Sequence, residues 1–296
     1  MSIICNACPR KCNSERSADG DKHGFCRYGT LPVVARASLH FWEEPCISGD
    51  KGSGTVFFSG CNLKCVYCQN ETISHGGTGK PVTIQRLREI FYELYEKGAH
   101  NINLVTPTHF VKAVAEALED APPIPIVYNC GGYESVETLK MLDGKIQIYL
   151  TDMKYADNTV ADKYSSAPDY FEVCRDAVAE MYRQTGDYVI DDNGIMQRGV
   201  IIRHLVLPDN LQNTFGVIDC VKEMFPHEGQ VLFSLMSQFT PVIKDTPFEE
   251  LHRTLTAEEY EKAEHYLFDS GIEDGFLQEL DSAEKQYIPD FDLSGV

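Results

Sequence analysis

The pattern of apolar and polar residues changes about fifty residues into the chain. The first fifty residues are rich in cysteine, glycine, proline and charge and show no clear helical period. From "GTVFFSG" onward, short apolar runs alternate with segments whose apolar residues recur every three or four positions, which is typical of strands alternating with amphipathic helices. This pattern predicts strands at residues 54–59, 101–106, 124–129, 147–152, 200–207 and 231–236.

The same pattern places helices between and after these strands. They are predicted at residues 84–97, 110–119, 136–142, 170–184, 213–224 and 257–270, with Thr256 as the N-cap of the last. Six strand–helix units in series imply parallel strands joined by right-handed crossovers. A closed eight-stranded barrel needs eight units, so the count favours an α/β fold with a partial (β/α)6 TIM-type barrel, and a doubly wound sheet is the alternative.

The predicted organisation has three parts. A cysteine-rich metal-binding extension occupies residues 1–50, the partial barrel occupies 51–272, and a tail at 273–296 closes the open side of the barrel. In the first part, Trp42 is expected to pack the extension against the barrel.

Composition excludes several classes of protein. Apolar residues make up 43% of the chain, which is typical of a globular protein. No apolar run is long enough to cross a bilayer, and the N-terminus lacks the apolar core of a secretion signal, so we expect a cytoplasmic protein with no membrane partner. The net charge of -19 argues against nucleic acid as a partner, because that affinity comes mainly from Lys and Arg.

Eleven cysteines in a protein of a reducing compartment indicate metal or redox chemistry. Cys61, Cys65 and Cys68 directly follow the first predicted strand, at the end where ligands bind in such folds. A [4Fe–4S] cluster held by three thiolates keeps one iron open to another ligand. Three buried cysteines, or a zinc site completed by a histidine such as His75, are the alternatives.

A second group of cysteines lies near the N-terminus. Cys5, Cys8, Cys12 and Cys26 have the spacing of a closed metal site, which is either a four-thiolate zinc site or a second [4Fe–4S] cluster. Cys46 lies between the two groups, and burial is the favoured interpretation for it.

The segment "CNLKCVYC" fits the CxxxCxΦC motif of the radical S-adenosylmethionine (radical SAM) enzymes, with Tyr67 as the aromatic residue. The resemblance covers residues 54–270. It implies that S-adenosylmethionine (AdoMet) chelates the open iron and is cleaved by one electron to methionine and a 5′-deoxyadenosyl radical, which abstracts hydrogen from a substrate. It also implies an electron donor such as flavodoxin or ferredoxin.

Polar residues at the other strand ends are candidates for binding AdoMet. Its carboxylate needs a cation and its ammonium needs acceptors, and residues i and i+2 of a strand share a face. Related enzymes carry a GGE motif after the second strand, where this chain has two threonine hydroxyls instead. The candidates are Tyr67, Thr106, Thr108, Asn129, Asp152, Lys154, Arg203 and His204. Ser234, Met236 and Gln238 also share one face of the sixth strand.

The D-x-K sequence of Asp152 and Lys154 resembles the glycyl-radical-enzyme activases, and the cysteine-rich run up to residue 75 resembles an activase-like branch related to the pyruvate formate-lyase activating enzyme. This resemblance implies that the substrate is a glycine of a partner glycyl radical enzyme. Direct modification of an amino acid, a peptide or a small metabolite is the alternative. A hypothesis of another class is a zinc-stabilised binding protein without catalytic activity.

Overall fold

A computed structural model describes residues 2–18, 20, 24–242, 246–280 and 289–296. Its strands are β1 Ile3–Ile4, β2 Glu15–Arg16, β3 Val33–His40, β4 Ser53–Phe58, β5 Lys80–Pro81, β6 Ile102–Val105, β7 Ile126–Cys130, β8 Ile148–Asp152, β9 Val189–Ile190, β10 Met196–Leu205, β11 Leu232–Met236 and β12 Gly275–Leu277. Its α-helices are α1 Pro45–Ser48, α2 Glu71–Ser74, α3 Ile84–Glu96, α4 Val111–Ala117, α5 Val136–Lys140, α6 Asn158–Ser165, α7 Tyr170–Thr185, α8 Leu211–Met224 and α9 Ala257–Ser270.

One large sheet carries the fold. Its strand order is β12-β11-β10-β8-β7-β6-β4-β3-β5, and β9 pairs with β10 beside this path. The strands from β4 to β12 along this path pair in parallel, whereas β3 pairs antiparallel with both β4 and β5 at one edge. All six predicted strands lie in the parallel run, and β12 and β5 do not pair to close the sheet in the described part of the chain. The α/β class and the partial barrel are confirmed.

Strand β3 was not predicted. Its sequence "VVARASLH" lies inside the cysteine-rich segment, and Arg36 and Ser38 interrupt its apolar run. It pairs along its length with β4, so that His40 lies opposite Ser53, the first residue of β4. Because β3 runs antiparallel, the residues that follow it lie at the amino-terminal end of the parallel strands.

Residues 41–48, here called the floor segment, close that end of the sheet. Cys46 and Ile47 are buried in a small apolar cluster with residues of β7, β8, β10 and β11. The Asn101 side chain donates a hydrogen bond to the Ile47 carbonyl at 2.8 Å. Burial of Cys46 agrees with the sequence interpretation, and burying this apolar surface stabilises the floor segment against the sheet.

The last residues contact both sides of the open sheet. Strand β12 extends the sheet beyond β11. At the opposite side, the Ala37 N–H donates to the Ser294 carbonyl at 2.8 Å, the Leu293 N–H donates to the Ala35 carbonyl at 3.1 Å, and the Phe291 ring contacts Phe57. Residues 281–288, which belong to the predicted closing tail, lie outside the described residues. The three-part division remains a prediction.

The predicted helix boundaries agree with the structure where the sequence carries a clear capping residue. Helix α9 has the predicted bounds, and Thr256 and Glu259 form a capping box at its start. Helix α6 was missed because its sequence "NTVADKYS" is short and mostly polar. Among the described helices, none has the length and apolar character that crossing a membrane requires.

Candidate active site

A cavity of about 520 Å³ lies at the carboxyl-terminal ends of the parallel strands and reaches down to the floor segment. This volume is within the range of small-molecule sites. Side chains from β4, β7, β8, β10 and β11 line it together with the cysteine loop and residues near β12. The predicted candidates that reach it are Cys61, Cys65, Tyr67, Cys68, Thr106, Asn129, Asp152, Lys154, Arg203, Ser234, Met236 and Gln238.

The three-cysteine loop begins with a tight turn at Gly60. This residue has φ +86°, and a Cβ atom there would come within 2.5 Å of the Tyr28 ring, so only glycine fits without strain. The chain then carries all three sulfurs to the cavity wall.

Each of these sulfurs accepts one hydrogen bond from the protein. The donors are the Leu63 N–H to Cys61 at 3.3 Å, the Ser165 hydroxyl to Cys65 at 2.9 Å and the Ser74 hydroxyl to Cys68 at 3.2 Å. Such bonds orient thiolates and stabilise their negative charge.

A buried chain of hydroxyl groups supports the serine at Cys65. The Tyr67 and Tyr155 hydroxyls are 2.7 Å apart, and the Tyr155 and Ser165 hydroxyls are also 2.7 Å apart. Burial raises the pKa of both tyrosines, so they remain neutral donors. The aromatic residue of the motif therefore positions the serine that bonds a cysteine sulfur.

The loop has the chemistry of a metal-binding site. Burial raises the pKa of the Cys68 thiol to about 11 and also raises that of Cys61, and the neighbouring cysteine sulfurs raise both further because the three groups face the same space. Metal binding replaces those protons. In the described ranges no three His, Cys, Asp or Glu side chains already stand in the geometry of a metal site. The three sulfurs fit a cluster by donor type and because they line the same cavity, and their role as ligands remains a prediction.

A buried network of charges crosses the cavity. Arg203 donates to Asp152 Oδ1 at 3.0 Å, to Glu43 Oε2 at 3.0 Å and to Asn129 Oδ1 at 2.8 Å. Lys154 Nζ donates to Asp152 Oδ2 at 2.5 Å. Burial opposes the charge on Asp152, but Lys154 and Arg203 outweigh it and hold the pKa of this carboxyl below its ordinary value.

Two acids from the floor segment complete this network, and sequence reasoning missed both. Glu43 Oε1 accepts hydrogen bonds from Asn103 at 3.0 Å and from Asn129 at 3.2 Å. Glu44 is 7% exposed, and burial raises its pKa. The available signal in the sequence was the pair of adjacent acids in "FWEEPC", which directly follows β3.

Thr106 lies at the cavity wall in a strained backbone conformation. Its φ is +58°, in the left-handed region that β-branched residues rarely adopt, and its N–H donates to the Asn129 carbonyl at 2.8 Å. Thr108 instead donates its hydroxyl to Glu134 at 2.6 Å and does not line the cavity.

His204 does not lie in the cavity, contrary to the sequence expectation. Adjacent strand residues face opposite sides, so His204 points away from the side that Arg203 occupies. Its ring nitrogens lie 2.8 Å from the Met153 carbonyl and 3.0 Å from the Thr214 hydroxyl. Burial lowers the pKa of this histidine to about 4, so it is a neutral structural residue.

The four N-terminal cysteines lie outside the cavity. Cys5 and Cys8 are buried, Cys26 is half-buried and Cys12 is exposed. Burial raises the pKa of Cys8 to about 12, and Cys26 and Cys5 raise it further, as expected when the sulfurs are neighbours. Their role as metal ligands also remains a prediction.

One arginine joins this N-terminal region to the three-cysteine loop. Arg10 donates hydrogen bonds to the backbone carbonyls of Asn62 at 2.8 Å, Ser165 at 3.0 Å and Ser166. Its guanidinium also lies over the Phe25 ring at 3.9 Å. The N-terminal cysteines are therefore tied to the backbone that surrounds Cys61 and Cys65.

Trp42 is 59% exposed and lines the cavity, and its packing of the extension against the barrel remains a prediction. It belongs to the floor segment, and its ring forms part of the cavity wall.

Comparisons with known proteins place the three-cysteine loop inside a match to a known superfamily. Residues 55–188 match the model of the radical SAM superfamily. The chain is 29% identical over 270 residues to the uncharacterized protein MJ0674 of Methanocaldococcus jannaschii, covering 88% of this chain and 72% of that protein.

Solved radical SAM structures share the fold at low sequence identity. A cysteine-to-serine mutant of spore photoproduct lyase matches with a TM-score of 0.51 and 12% identity, covering 82% of this chain and 79% of that one. Methylornithine synthase (PylB) matches with a TM-score of 0.50 and 14% identity, covering 81% and 70%. The chain spans about half the length of some other solved chains, including 48% of SuiB from Streptococcus suis.

The match to the radical SAM superfamily model covers residues 55–188, just under half of the chain, and these residues include the three-cysteine loop.

Proposed function

We propose that this protein is a radical SAM enzyme whose cluster is held by Cys61, Cys65 and Cys68. The observation that carries the proposal is that all three sulfurs line one cavity and that each accepts a hydrogen bond from the protein. A cluster bound there, with AdoMet at its open iron and a donor such as flavodoxin or ferredoxin, would supply one-electron cleavage of the sulfonium to methionine and a 5′-deoxyadenosyl radical.

The residues around the cavity suit AdoMet. Lys154 and Arg203 are cations that can face its carboxylate, and Asn129 and the strained Thr106 offer polar groups at neighbouring strand ends. Tyr67 lines the cavity beside the cluster ligands. The floor segment closes the far end, which excludes water from the radical.

A cavity of about 520 Å³ favours a small substrate or a single side chain, in keeping with direct modification of an amino acid, a peptide or a small metabolite. A glycine in a partner glycyl radical enzyme is the second candidate. It is favoured by the Asp152–Lys154 pair, which lines the cavity at the carboxyl end of β8 and resembles the activase motif.

We further propose that Cys5, Cys8, Cys12 and Cys26 hold a second metal, either zinc or a [4Fe–4S] cluster. Their proximity to the three-cysteine loop through Arg10 supports a role in electron entry if the metal is a cluster. Metal counts on protein prepared without oxygen decide between them: about eight irons per chain indicate two clusters, and about four irons with one zinc indicate a mixed pair.

AdoMet cleavage tests the main proposal. Reconstituted protein is mixed anaerobically with AdoMet and dithionite, and 5′-deoxyadenosine is measured by chromatography. We expect formation in the wild type and background levels in the variant Cys61→Ala/Cys65→Ala/Cys68→Ala. Cys220→Ala, in helix α8 outside the cavity, is the matched control and should behave as the wild type.

Two results would overturn the proposal. Cleavage by the triple variant would show that these sulfurs do not hold the cluster. Colourless wild-type protein that contains zinc in both sites and does not cleave AdoMet would favour the zinc-stabilised binding protein.

A further inference from the structure

The floor segment contributes a buried carboxylate with one oxygen that accepts no hydrogen bond. Glu44 lines the cavity and is 7% exposed, yet its Oε2 atom has no hydrogen-bond partner. The cation next to it, Arg203, is 4.0 Å from this oxygen and already donates to Asp152 and Glu43. A buried polar atom without a partner costs free energy, so its presence needs an explanation.

Its neighbour Glu43 provides an internal comparison. The two acids are adjacent in sequence, but Glu43 accepts hydrogen bonds from Asn103, Asn129 and Arg203. Glu43 thus accepts three hydrogen bonds within the charge network, whereas Glu44, which also lines the cavity, keeps one carboxylate oxygen without a hydrogen bond.

The charges around the cavity are also unbalanced. The described residues that line it include four carboxylates, Glu43, Glu44, Asp152 and Glu279, against the two cations Lys154 and Arg203. Counted at their formal charges, these groups leave an excess of two negative charges. A [4Fe–4S] cluster in its 2+ state with three thiolates adds one negative charge and AdoMet adds one positive charge, so the two cofactors leave the excess unchanged.

We propose that the substrate carries a cationic nitrogen, an alkylammonium or a guanidinium, which donates a hydrogen bond to the Glu44 carboxylate. The proposal rests on the proposed function above, since it names the substrate class of the same site. The cationic group can belong to a small amine or to a lysine or arginine side chain, because both present the same chemistry to the carboxylate.

The first test measures stability and needs no substrate. A buried carboxylate oxygen without a hydrogen bond destabilises the ligand-free protein, so Glu44→Gln should raise the urea midpoint of unfolding. Glu43→Gln should lower the midpoint, because Glu43 accepts three hydrogen bonds. Glu116→Gln, at an exposed position of helix α4, should leave the midpoint unchanged. If Glu44→Gln lowers the midpoint as much as Glu43→Gln does, the charge of Glu44 serves the fold and the proposal is overturned.

The second test measures binding to reconstituted protein loaded with AdoMet, by equilibrium dialysis. The probes are pairs that differ in one cation: n-pentylamine with 1-pentanol, and N-acetyl-lysine amide with N-acetyl-norleucine amide. We expect at least one cationic member to bind tenfold or more tightly than its neutral counterpart, and Glu44→Gln to abolish that preference. The pair that shows it distinguishes a small amine from a side chain.

The outcomes separate this inference from the proposed function. Wild-type protein that cleaves AdoMet but shows no preference for either cation contradicts the inference alone. Loss of AdoMet affinity in Glu44→Gln assigns the carboxylate to the ammonium of AdoMet and also contradicts it. Wild-type protein that does not cleave AdoMet contradicts the proposed function, whatever the probes do.

Discussion

The two ends of the cavity are built in different ways. At the mouth, three cysteines within eight residues form the site, and their partners are neutral groups: a backbone N–H and two serine hydroxyls. Toward the floor, two carboxylates and an asparagine from three separate segments meet around Arg203. The mouth is a local motif, and the floor is a product of the tertiary fold.

This difference decides what the sequence could predict. A short motif has the same meaning wherever it occurs, so Cys61, Cys65, Cys68 and Tyr67 could be identified directly. Asp152, Lys154 and Arg203 could be proposed because parallel strands end on one side of a sheet. Glu43 and Glu44 could not be proposed from the sequence, because their position depends on β3. The pairing of this strand with β4 places the residues that follow it at the amino-terminal end of the parallel strands.

His204 shows the limit of reasoning from strand ends alone. The alternation of side chains already required that Arg203 and His204 face opposite sides, and the sequence could not say which side held the cavity. The apolar residues of β10 are buried on both faces, so hydrophobicity did not distinguish them.

The largest expected effect at the floor follows from removing its central cation. Arg203→Met leaves Asp152, Glu43 and Glu44 without their shared partner, and breaking a buried ion network in this way costs about 3–5 kcal/mol. Urea unfolding measures the loss. Arg175→Met, which removes an exposed ion pair with Glu223, is the matched control and should cost less than about 1 kcal/mol. Equal effects would mean that the floor is not held by its charges.

Glu134 provides a comparison for Asp152, because its hydrogen-bond partners include no cation. It is a buried acid outside the cavity whose partners are the hydroxyls of Thr108 and Tyr128, and burial raises its pKa to about 7 from 4.5. The folded state therefore binds a proton that the unfolded state has lost, so this group contributes stability below about pH 4.5 that disappears as the pH rises through 7.

The expected loss for Glu134 is up to about 3 kcal/mol, since each unit of pKa shift corresponds to about 1.4 kcal/mol. Urea unfolding of the wild type and of Glu134→Gln at pH 5 and pH 8 measures it. The difference in stability between the two proteins should change with pH in favour of the glutamine variant at pH 8. A constant difference would show that Glu134 is not held neutral by burial.

The smallest expected effect lies at the mouth. Ser165→Ala removes the hydrogen bond to the Cys65 sulfur and the end of the tyrosine hydroxyl chain, at a cost of about 1 kcal/mol to folding. Hydrogen bonds to cluster sulfurs stabilise the reduced state, so the midpoint potential of the cluster should become more negative. Redox titration followed by electron paramagnetic resonance measures the shift. Ser270→Ala, at the end of helix α9, is the control, and an unchanged potential in Ser165→Ala would contradict the role assigned to this serine.

The pairing of Leu293 and Ser294 with β3 has a consequence for self-association. Beyond its two residues paired with β5, this strand would otherwise present free backbone groups along its outer side, and such an edge is a template for another chain. The last eight residues occupy that template. A chain shortened by these residues should form aggregates or edge-paired dimers at concentrations at which the full chain stays dispersed, which light scattering can detect.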